Sequence, residues 1–283
     1  MSESNAIDAI PFIPKIIFIV PYRSREPQLN HFKHYMKYIL EDTPNNYEIF
    51  FVHQCDNKPF NRGAMKNIGF IAMKHKYPNN YKSISFVFND IDTVPAFKNM
   101  LNYETSVGVI KHFYGFEFAL GGIISVTGYD FEKINGFPNY WGWGLEDNDL
   151  QTRANKYKLK IDRSNFYNFT NPNIINIQSE TTRVHSKQQV WRAGVKNIEG
   201  ITDIKNLNYE INESMINVLS FETIINPYLD TYTNMLPYQN ITTDINFRPA
   251  NAVNNINDLI NGGVKIANVS NFNNRGVQLK LFK

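Results

Sequence analysis

Three apolar runs of strand length, separated by segments with helical periodicity, dominate the first third of the chain. The runs cover residues 15–20, 47–53 and 84–89, and the first reads Lys-Ile-Ile-Phe-Ile-Val. A run this apolar is typical of a strand buried on both faces of a sheet. Apolar residues repeat at helical spacing over 28–41 and 63–76. This alternation predicts an α/β domain with a mainly parallel central sheet.

The alternation weakens after about residue 100, where shorter elements are expected. They are a strand at Ile123–Thr127, helices at 129–135 and 146–157, a strand at Ile174–Gln178, a loop over 179–200, and a helix mixed with short strands over 206–245. Residues 1–14 are expected to be a disordered lead-in. We therefore predict one domain over 15–245, followed by an Asn- and Gly-rich extension of unassigned role over 246–283.

Composition restricts the class of protein and its location. The net charge is +3 without a long basic run, which argues against a dedicated nucleic-acid binder. A single cysteine, Cys55, excludes an intramolecular disulfide and fits a reducing compartment. The N-terminus lacks a signal-peptide pattern, and no apolar run reaches the ~20 residues needed for a transmembrane segment. We expect a soluble, cytoplasmic protein, and the abundance of Asn suggests an AT-rich viral or microbial genome.

Charged side chains follow each of the first three predicted strands. Arg23 and Arg25 follow the first, Arg62 lies in the loop after the second, and Asp90 and Asp92 follow the third. Ligands of such sheets bind beyond the carboxyl ends of the strands, so we treat these residues as one candidate site. Guanidinium groups suit phosphate oxygens, and two carboxylates suit a hard divalent cation. The alternative is ordinary surface charge and a solvated turn.

Aromatic and acidic residues meet within 135–149. Trp141-Gly-Trp-Gly144 combines large rings with residues that tolerate unusual backbone angles, so this segment can move and cover a flat sugar face. Glu146 and Asp147 follow at an expected helix start, where a carboxylate could accept a proton. The alternative is that the tryptophans belong to the core and the acids cap the helix.

Two further candidates complete the site that the residues alone suggest. His185 is an isolated histidine, which combined with a distant acidic pair supplies the kind of nitrogen ligand that Mn²⁺ accepts. Either Phe60 or Tyr22 could stack on a nucleotide base.

Taken together, these segments form an ordered set of motifs. They are Pro21-Tyr-Arg-Ser-Arg25, Phe60-Asn-Arg-Gly63, Phe86-Val-Phe-Asn-Asp-Ile-Asp92, Gly121-Gly122, residues 134–149 and Arg183-Val-His-Ser186. Over about residues 15–200 this set resembles the β-1,4-galactosyltransferase family. Several motifs in the same order are far more specific than any one of them.

The resemblance implies a GT-A (Rossmann-like) glycosyltransferase fold and an inverting, Mn²⁺-dependent transfer from a UDP-hexose to a saccharide acceptor. Asp92 and His185 match metal ligands, and Asp90 matches an acid near the nucleotide. Asp147, next to Glu146, matches the catalytic base that deprotonates the acceptor hydroxyl. The remaining matches, at the nucleotide and donor site, are Pro21, Arg23, Arg25, Phe60, Arg62, Gly122 and the loop tryptophan Trp143.

Three departures from the family pattern bear on specificity. Thr182 stands where many members have a methionine metal ligand, so Mg²⁺ is possible beside Mn²⁺. Asn148 replaces an acid linked to acceptor hydroxyls. Ala119 replaces a tyrosine that crowds the donor C2 substituent, so UDP-GalNAc is expected to be accepted at least as well as UDP-galactose.

Two other functions remain open at this point. One is a sugar- or UDP-binding protein that has lost turnover, against which the joint retention of Asp92, His185 and Asp147 argues. The other is a different metal-dependent enzyme acting on UDP-sugars, such as a nucleotidyltransferase or hydrolase. The Trp-Gly-Trp-Gly segment followed by two acids disfavours it, because such enzymes need no acceptor cover.

Overall fold

A computed structural model describes residues 12–43, 46–177, 183–186, 199–229, 232–235, 264–266 and 279–281. Within them, nine strands form one large sheet. They are β1 (Ile16–Tyr22), β2 (Tyr47–Gln54), β3 (Ser85–Asn89), β5 (Val109–Gly115), β6 (Ile123–Thr127), β7 (Lys160–Asp162), β8 (Tyr167–Asn168), β11 (Lys205–Asn212) and β12 (Met215–Glu222). Their order in the sheet is β11-β12-β2-β1-β3-β6-β5-β7, with β8 beside β5.

Helices and short strand pairs complete the described elements. The helices are α1 (Glu26–Ile39), α2 (Arg62–Lys76), α3 (Gly128–Lys133) and α4 (Glu146–Lys156), with 3-10 turns at Ile201–Asp203 and Pro227–Leu229. The paired strands are β4 (Thr93–Pro95) with β9 (Ile174–Asn176), β10 (Arg183–Ser186) with β13 (Tyr232–Met235), and β14 (Val264–Ile266) with β15 (Leu279–Leu281).

The centre of the sheet is parallel, as the alternating pattern predicts. Strand β1 pairs in parallel with β2 and β3, and β12 pairs in parallel with β2. The direction reverses at β6, which is antiparallel to both β3 and β5. The predicted α/β fold with a largely parallel sheet is therefore confirmed.

Strand β1 is buried along its whole length because both faces are covered by helices. Ile17 and Ile19 face the core cluster that contains α2, whereas Phe18 and Val20 face the cluster that contains α1. Side chains alternate between the two faces of a strand, so an uninterrupted apolar run is what this position requires. The end of β1 therefore lies between the two helical layers that contain α1 and α2.

Several predicted elements differ from the structure. The described part of the predicted loop at 179–200 includes strand β10, and 205–222 is a β-hairpin where we expected a helix among short strands. Strand β11 lies at the sheet edge and is largely exposed, so it lacks a clear apolar alternation. Its partner β12 buries Ile216 and Val218 on one face, which is the usual strand period.

No helix in the described ranges is long and apolar enough to cross a lipid bilayer. The domain limits at 15 and 245 stay predictions.

Candidate active site

The site lies where β1 and β3 end and where α2 and α4 begin. Helix α2 begins directly after Asn61, whose side chain accepts a hydrogen bond from Ala64 N at 2.8 Å and donates one to Asn139 O at 3.0 Å. A Cβ at Gly63 would lie 2.1 Å from Pro138 O, so the glycine allows this segment to pack closely on the first helical turn. The cap and this contact fix the direction in which Arg62 enters the site.

Arg62 joins three carboxylates from two segments, the turn after β3 and the first turn of α4. Its guanidinium donates to Asp90 Oδ2 at 3.0 Å, to Asp147 Oδ2 at 2.9 Å, and to Glu146 Oε1. Burial alone would lower the pKa of Arg62, but the three negative charges hold it above its usual range. The structure thus brings together four residues predicted from sequence, which are Arg62 and its three acidic partners. The sequence predicted Arg62 only as a nucleotide-site residue, and its position between three acids is an additional finding.

Lys66 belongs to the same cluster and was not identified from the sequence. Its side chain is only 1% exposed, and its Nζ lies 3.5 Å from Asp90 Oδ1 and 3.5 Å from Asp147 Oδ1. The ring centroid of Phe137 lies 4.6 Å from the same nitrogen. The available signal was spacing, because Lys66 stands one helical turn after Arg62 and one turn before the buried Phe70.

The carboxylates of the cluster differ in their affinity for protons. Burial, together with the negative charges of Glu146 and Asp90, raises the pKa of Asp147 to about 6, although Lys66 and Arg62 oppose this rise. For Asp90, burial is outweighed by the neighbouring cations, which lower its pKa. Asp147 is thus the acid of this pair that can exchange a proton near neutral pH.

Asp92 lies on the other side of Asp90 and interacts with Arg25. Arg25 Nη1 lies 3.0 Å from Asp92 Oδ2, and burial together with the charge of Asp90 raises the pKa of Asp92. Asp90 Oδ1 is buried, accepts no hydrogen bond of normal geometry, and has the ammonium of Lys66 at 3.5 Å. An underused carboxylate oxygen beside a second carboxylate is a donor set that fits a hard divalent cation.

Charge balance within the described ion-pair cluster agrees with this fit. Four carboxylates face three cationic side chains there, so these seven groups together retain formal negative charge. The acids are Asp90, Asp92, Glu146 and Asp147, and the cations are Arg25, Arg62 and Lys66.

The structure describes the other two predicted metal ligands only in part. Thr182 lies outside the described residues, and of His185 only the backbone, in β10, is described. No group of three potential metal-binding side chains occurs among the residues whose side chains the structure describes. The two aspartates are therefore the part of the predicted metal site that the structure brings together.

The Trp141–Gly144 segment lies between the residues that precede α2 and strand β10. Gly142 N donates to Phe60 O at 3.0 Å, and Trp143 N donates to Val184 O at 2.7 Å. Gly142 has φ +87°, and a Cβ there would lie 2.4 Å from Val184 O. The backbone that carries His185 therefore runs directly beside the backbone of Trp143.

Trp141 does not have the ligand-covering role that the sequence suggests for this segment. Its side chain is 1% exposed and stacks on Phe221 with ring centroids 5.1 Å apart. Its Nε1 donates to Thr223 Oγ1 at 2.8 Å and to Ile225 O at 3.0 Å. The alternative that a tryptophan here belongs to the core is confirmed for Trp141, whereas Trp143 is only partly buried.

This difference predicts unequal effects of the same substitution. Trp141→Phe should lower the free energy of unfolding by about 1–3 kcal/mol, because it removes two buried hydrogen bonds and part of a packed ring. Trp143→Phe should cost less, because its ring is only partly buried. Urea unfolding of both variants checks the prediction, and a smaller loss for Trp141→Phe than for Trp143→Phe would contradict it.

Of the predicted nucleotide-binding residues, Pro21 and Arg23 lie at the end of β1, and Phe60 lies in the loop between β2 and α2. Arg23 donates to Lys58 O, and its guanidinium lies 5.2 Å from the ring centroid of Phe60. Pro21 is buried within β1. Tyr22 is 3% exposed and its hydroxyl donates to Glu26, so the expectation that it could stack a base is wrong; Phe60, partly exposed, remains the candidate.

Gly122 is placed at the same edge of the sheet by a backbone contact. Its carbonyl accepts a hydrogen bond from Asp90 N at 3.0 Å, and its φ is +68°. A Cβ at the neighbouring Gly121 would lie 2.2 Å from Asp147 Oδ2. The glycine pair therefore leaves room for Asp147 beside the strand that carries Asp90.

Comparison with known proteins identifies the class. The family model described as the N-terminal region of glycosyl transferase group 7 matches residues 11–104, and the model described as the N-terminal domain of galactosyltransferase matches residues 96–178. Drosophila β1,4-galactosyltransferase 7, solved with xylobiose, aligns with a TM-score of 0.59 and 24% identity over 73% of this chain and 94% of that chain. The same enzyme as a mutant with manganese, UDP-Gal and xylobiose gives a TM-score of 0.54 and 23% identity over the same shares of the two chains.

Curated relatives agree with these matches. β-1,4-Galactosyltransferase 4 of Cricetulus griseus is 30% identical over 201 residues, which cover 64% of this chain and 56% of the relative. Xylosylprotein 4-beta-galactosyltransferase of Caenorhabditis elegans is 32% identical over 158 residues, which cover 53% of each chain. The chain thus spans about half the length of the curated relatives it matches.

The fold defined by these strands and helices is that of the GT-A glycosyltransferases. The two family models together span more than half of the sequence, and the chain belongs to the β-1,4-galactosyltransferase family.

Proposed function

We propose that this protein is an inverting, metal-dependent glycosyltransferase that moves galactose or N-acetylgalactosamine from a UDP-sugar to a hydroxyl of a saccharide acceptor. The observation that carries the proposal is the position of Asp147. This carboxylate lies among the cations Arg62 and Lys66, next to the paired acids Asp90 and Asp92, with its pKa raised to about 6. A base near neutral pH beside a phosphate- and metal-binding edge suits acid–base chemistry at a nucleotide sugar.

Each side chain then has a defined task. Asp147 accepts the proton of the acceptor hydroxyl while the oxygen attacks the anomeric carbon on the face opposite UDP. The bond between that carbon and the UDP oxygen breaks, and the diphosphate leaves with the electron pair. Arg25 and Arg62 contact the diphosphate, and Phe60 stacks on the uracil beside Arg23. Trp143, held at its backbone beside β10, covers the donor and excludes water.

A divalent cation, Mn²⁺ with Mg²⁺ as the alternative, would stabilise the negative charge that develops on the departing diphosphate. Asp92 would hold it together with His185, and Thr182 or a water molecule would take the position of a softer ligand. Asp90, whose Oδ1 is underused, stands next to Asp92 at the nucleotide.

The donor preference follows from the segment before the glycine pair. Ala119 is buried, and its neighbour Leu120 donates from its backbone N to Asp147 O at 3.0 Å. In the family pattern this position carries a tyrosine that crowds the C2 substituent of the donor sugar, and an alanine would leave room there for an N-acetyl group. We therefore propose that UDP-GalNAc is a donor at least as good as UDP-galactose.

The test is a screen of UDP-sugars with Mn²⁺ or Mg²⁺ against a panel of monosaccharide acceptors, with product measured by mass. Transfer of both sugars is expected, and Ala119→Tyr should lower the GalNAc-to-Gal rate ratio on the order of tenfold or more by filling the space at C2. Ala119→Ser is the matched control and should leave the ratio within about threefold.

Two results would argue against parts of this proposal. Strong rejection of UDP-GalNAc by the unaltered protein would overturn the donor assignment alone. Calorimetric binding of UDP without transfer to any acceptor would overturn the enzyme assignment in favour of a sugar- or UDP-binding protein on the same fold.

A further inference from the structure

We infer that Lys66 is a positioning residue that fixes the orientation of the Asp147 carboxylate, an inference that rests on the proposed function. Nothing in the family motifs draws attention to this position. The argument comes from how four charged side chains share their atoms.

Asp90 and Asp147 are joined twice by cations that stand one turn apart on α2. Arg62 lies 3.0 Å from Oδ2 of Asp90 and 2.9 Å from Oδ2 of Asp147. Lys66 lies 3.5 Å from Oδ1 of each acid. Both oxygens of each carboxylate therefore have a cationic neighbour, and the plane of the Asp147 carboxylate is fixed at two points.

The two cations have different freedom to leave the acids. Arg62 also contacts Glu146 and lies beside the proposed diphosphate site, so donor binding competes for its guanidinium. Lys66 is 1% exposed and is covered by the ring of Phe137, 4.6 Å from its Nζ. Its contact with Asp147 can therefore persist while Arg62 engages the donor, which keeps the base aimed at the acceptor.

A purely structural role of Lys66 predicts a different effect of its removal. Neutralising buried acids requires only nearby positive charge, and the loss of that charge would lower stability. Positioning requires that the same change slow the chemical step of protein that is still folded. A misplacement of about 1 Å at a reacting group can reduce the rate up to a hundredfold.

The charged groups that face Asp147 predict the sign of a second effect. They are Glu146 on its own helix, Arg62 and Lys66 on α2, and Asp90 after β3. Without the ammonium, two acids and one guanidinium remain, so the proton affinity of Asp147 rises. The acid limb of the pH profile for transfer should then move to higher pH by about one unit.

The experiment compares Lys66→Met, Lys66→Gln and Lys66→Arg with the unaltered protein in the presence of UDP-galactose and Mn²⁺. We expect Lys66→Met and Lys66→Gln to lower kcat about 10- to 100-fold, with the KM for donor within about threefold. Lys66→Arg, which keeps the charge, should recover most of the rate. UDP affinity measured by calorimetry should be unchanged in all three.

Lys74→Met is the matched control. Lys74 lies on the same helix and pairs with Glu132 at 2.5 Å on the surface, away from the acids of the site. It should leave kcat and the pH profile unaltered. Circular dichroism and thermal melting define the folded fraction to which each rate is normalised, and Lys66→Gln decides the matter where Lys66→Met does not fold.

Two failures can be told apart. An unaltered protein that transfers no sugar overturns the proposed function, and the inference falls with it. An active unaltered protein whose Lys66→Gln variant keeps kcat within about threefold and the same acid limb overturns the positioning role alone.

Discussion

Asp147→Asn is expected to abolish transfer and, at the same time, to make the folded protein more stable at neutral pH. The loss of transfer should reach 10²- to 10⁴-fold, because the amide cannot accept the proton of the acceptor hydroxyl. Binding of UDP should be retained, since the diphosphate contacts are assigned to other side chains. The gain in stability has a separate origin in the burial of the carboxylate.

The sign of the stability effect follows from the direction of the pKa shift. Burial raises the pKa of Asp147 from 3.8 to about 6, so the folded state binds the proton more tightly than the unfolded state. This carboxyl contributes stability below pH 4 that is lost as pH rises through about 6. A neutral amide avoids that loss. The free energy of unfolding of the variant should therefore exceed that of the unaltered protein by on the order of 1–3 kcal/mol at pH 8 and by little at pH 4.

Urea unfolding of both proteins at pH 4, 6 and 8 measures this difference. Asp162→Asn is a control of opposite sign, because hydrogen bonds from Ser164 lower the pKa of Asp162 and its charged form is the favoured one. A variant of Asp147 that is less stable than the unaltered protein at pH 8 would show that its ion pairs outweigh its burial.

The part of the molecule closest to the proposed chemistry was also the most predictable from sequence. The apolar run of β1 predicts a central strand of the sheet, because only a strand covered on both faces lacks polar residues. Arg62, Asp90 and Asp147 were predicted because they follow strands or begin a helix, and those are the places where side chains converge.

Other features depend on packing that the local pattern does not record. Trp141 and Trp143 are two residues apart in a similar sequence context, yet Trp141 is core because the hairpin of β11 and β12 supplies Phe221 as its stacking partner. In the sequence Lys66 resembles a solvated lysine, whereas in the structure Phe137 and the two acids surround it. The cytoplasmic location and the start of a separate extension at residue 246 stay predictions.

Arg62→Met should have the largest effect on stability, because one guanidinium neutralises three acids. Its removal leaves Glu146, which is almost fully buried, without this cation, and leaves Asp90 and Asp147 with Lys66 alone. Removing one partner of a buried ion pair typically costs about 3–5 kcal/mol. Transfer should be lost as well, since the same side chain contacts the proposed diphosphate site.

The cost should depend on pH in a defined direction. Without Arg62 the pKa values of Asp90 and Asp147 rise, so the variant loses stability as pH rises and recovers part of it when these two acids bind protons. Arg62→Lys should restore only part of the loss, because a single ammonium cannot reproduce the fork of a guanidinium across three carboxylates. Urea unfolding at pH 5 and pH 8 separates these effects.

Arg23→Met provides the comparison for this variant. The guanidinium of Arg23 donates to the backbone carbonyls of Asp56 and Lys58, so these contacts involve no titratable side chain. Its cost should therefore be nearly the same at both pH values. If Arg62→Met unfolds with the same free energy as the unaltered protein at pH 8, the three acids do not depend on this guanidinium, and the proposed electrostatic organisation of the site is wrong.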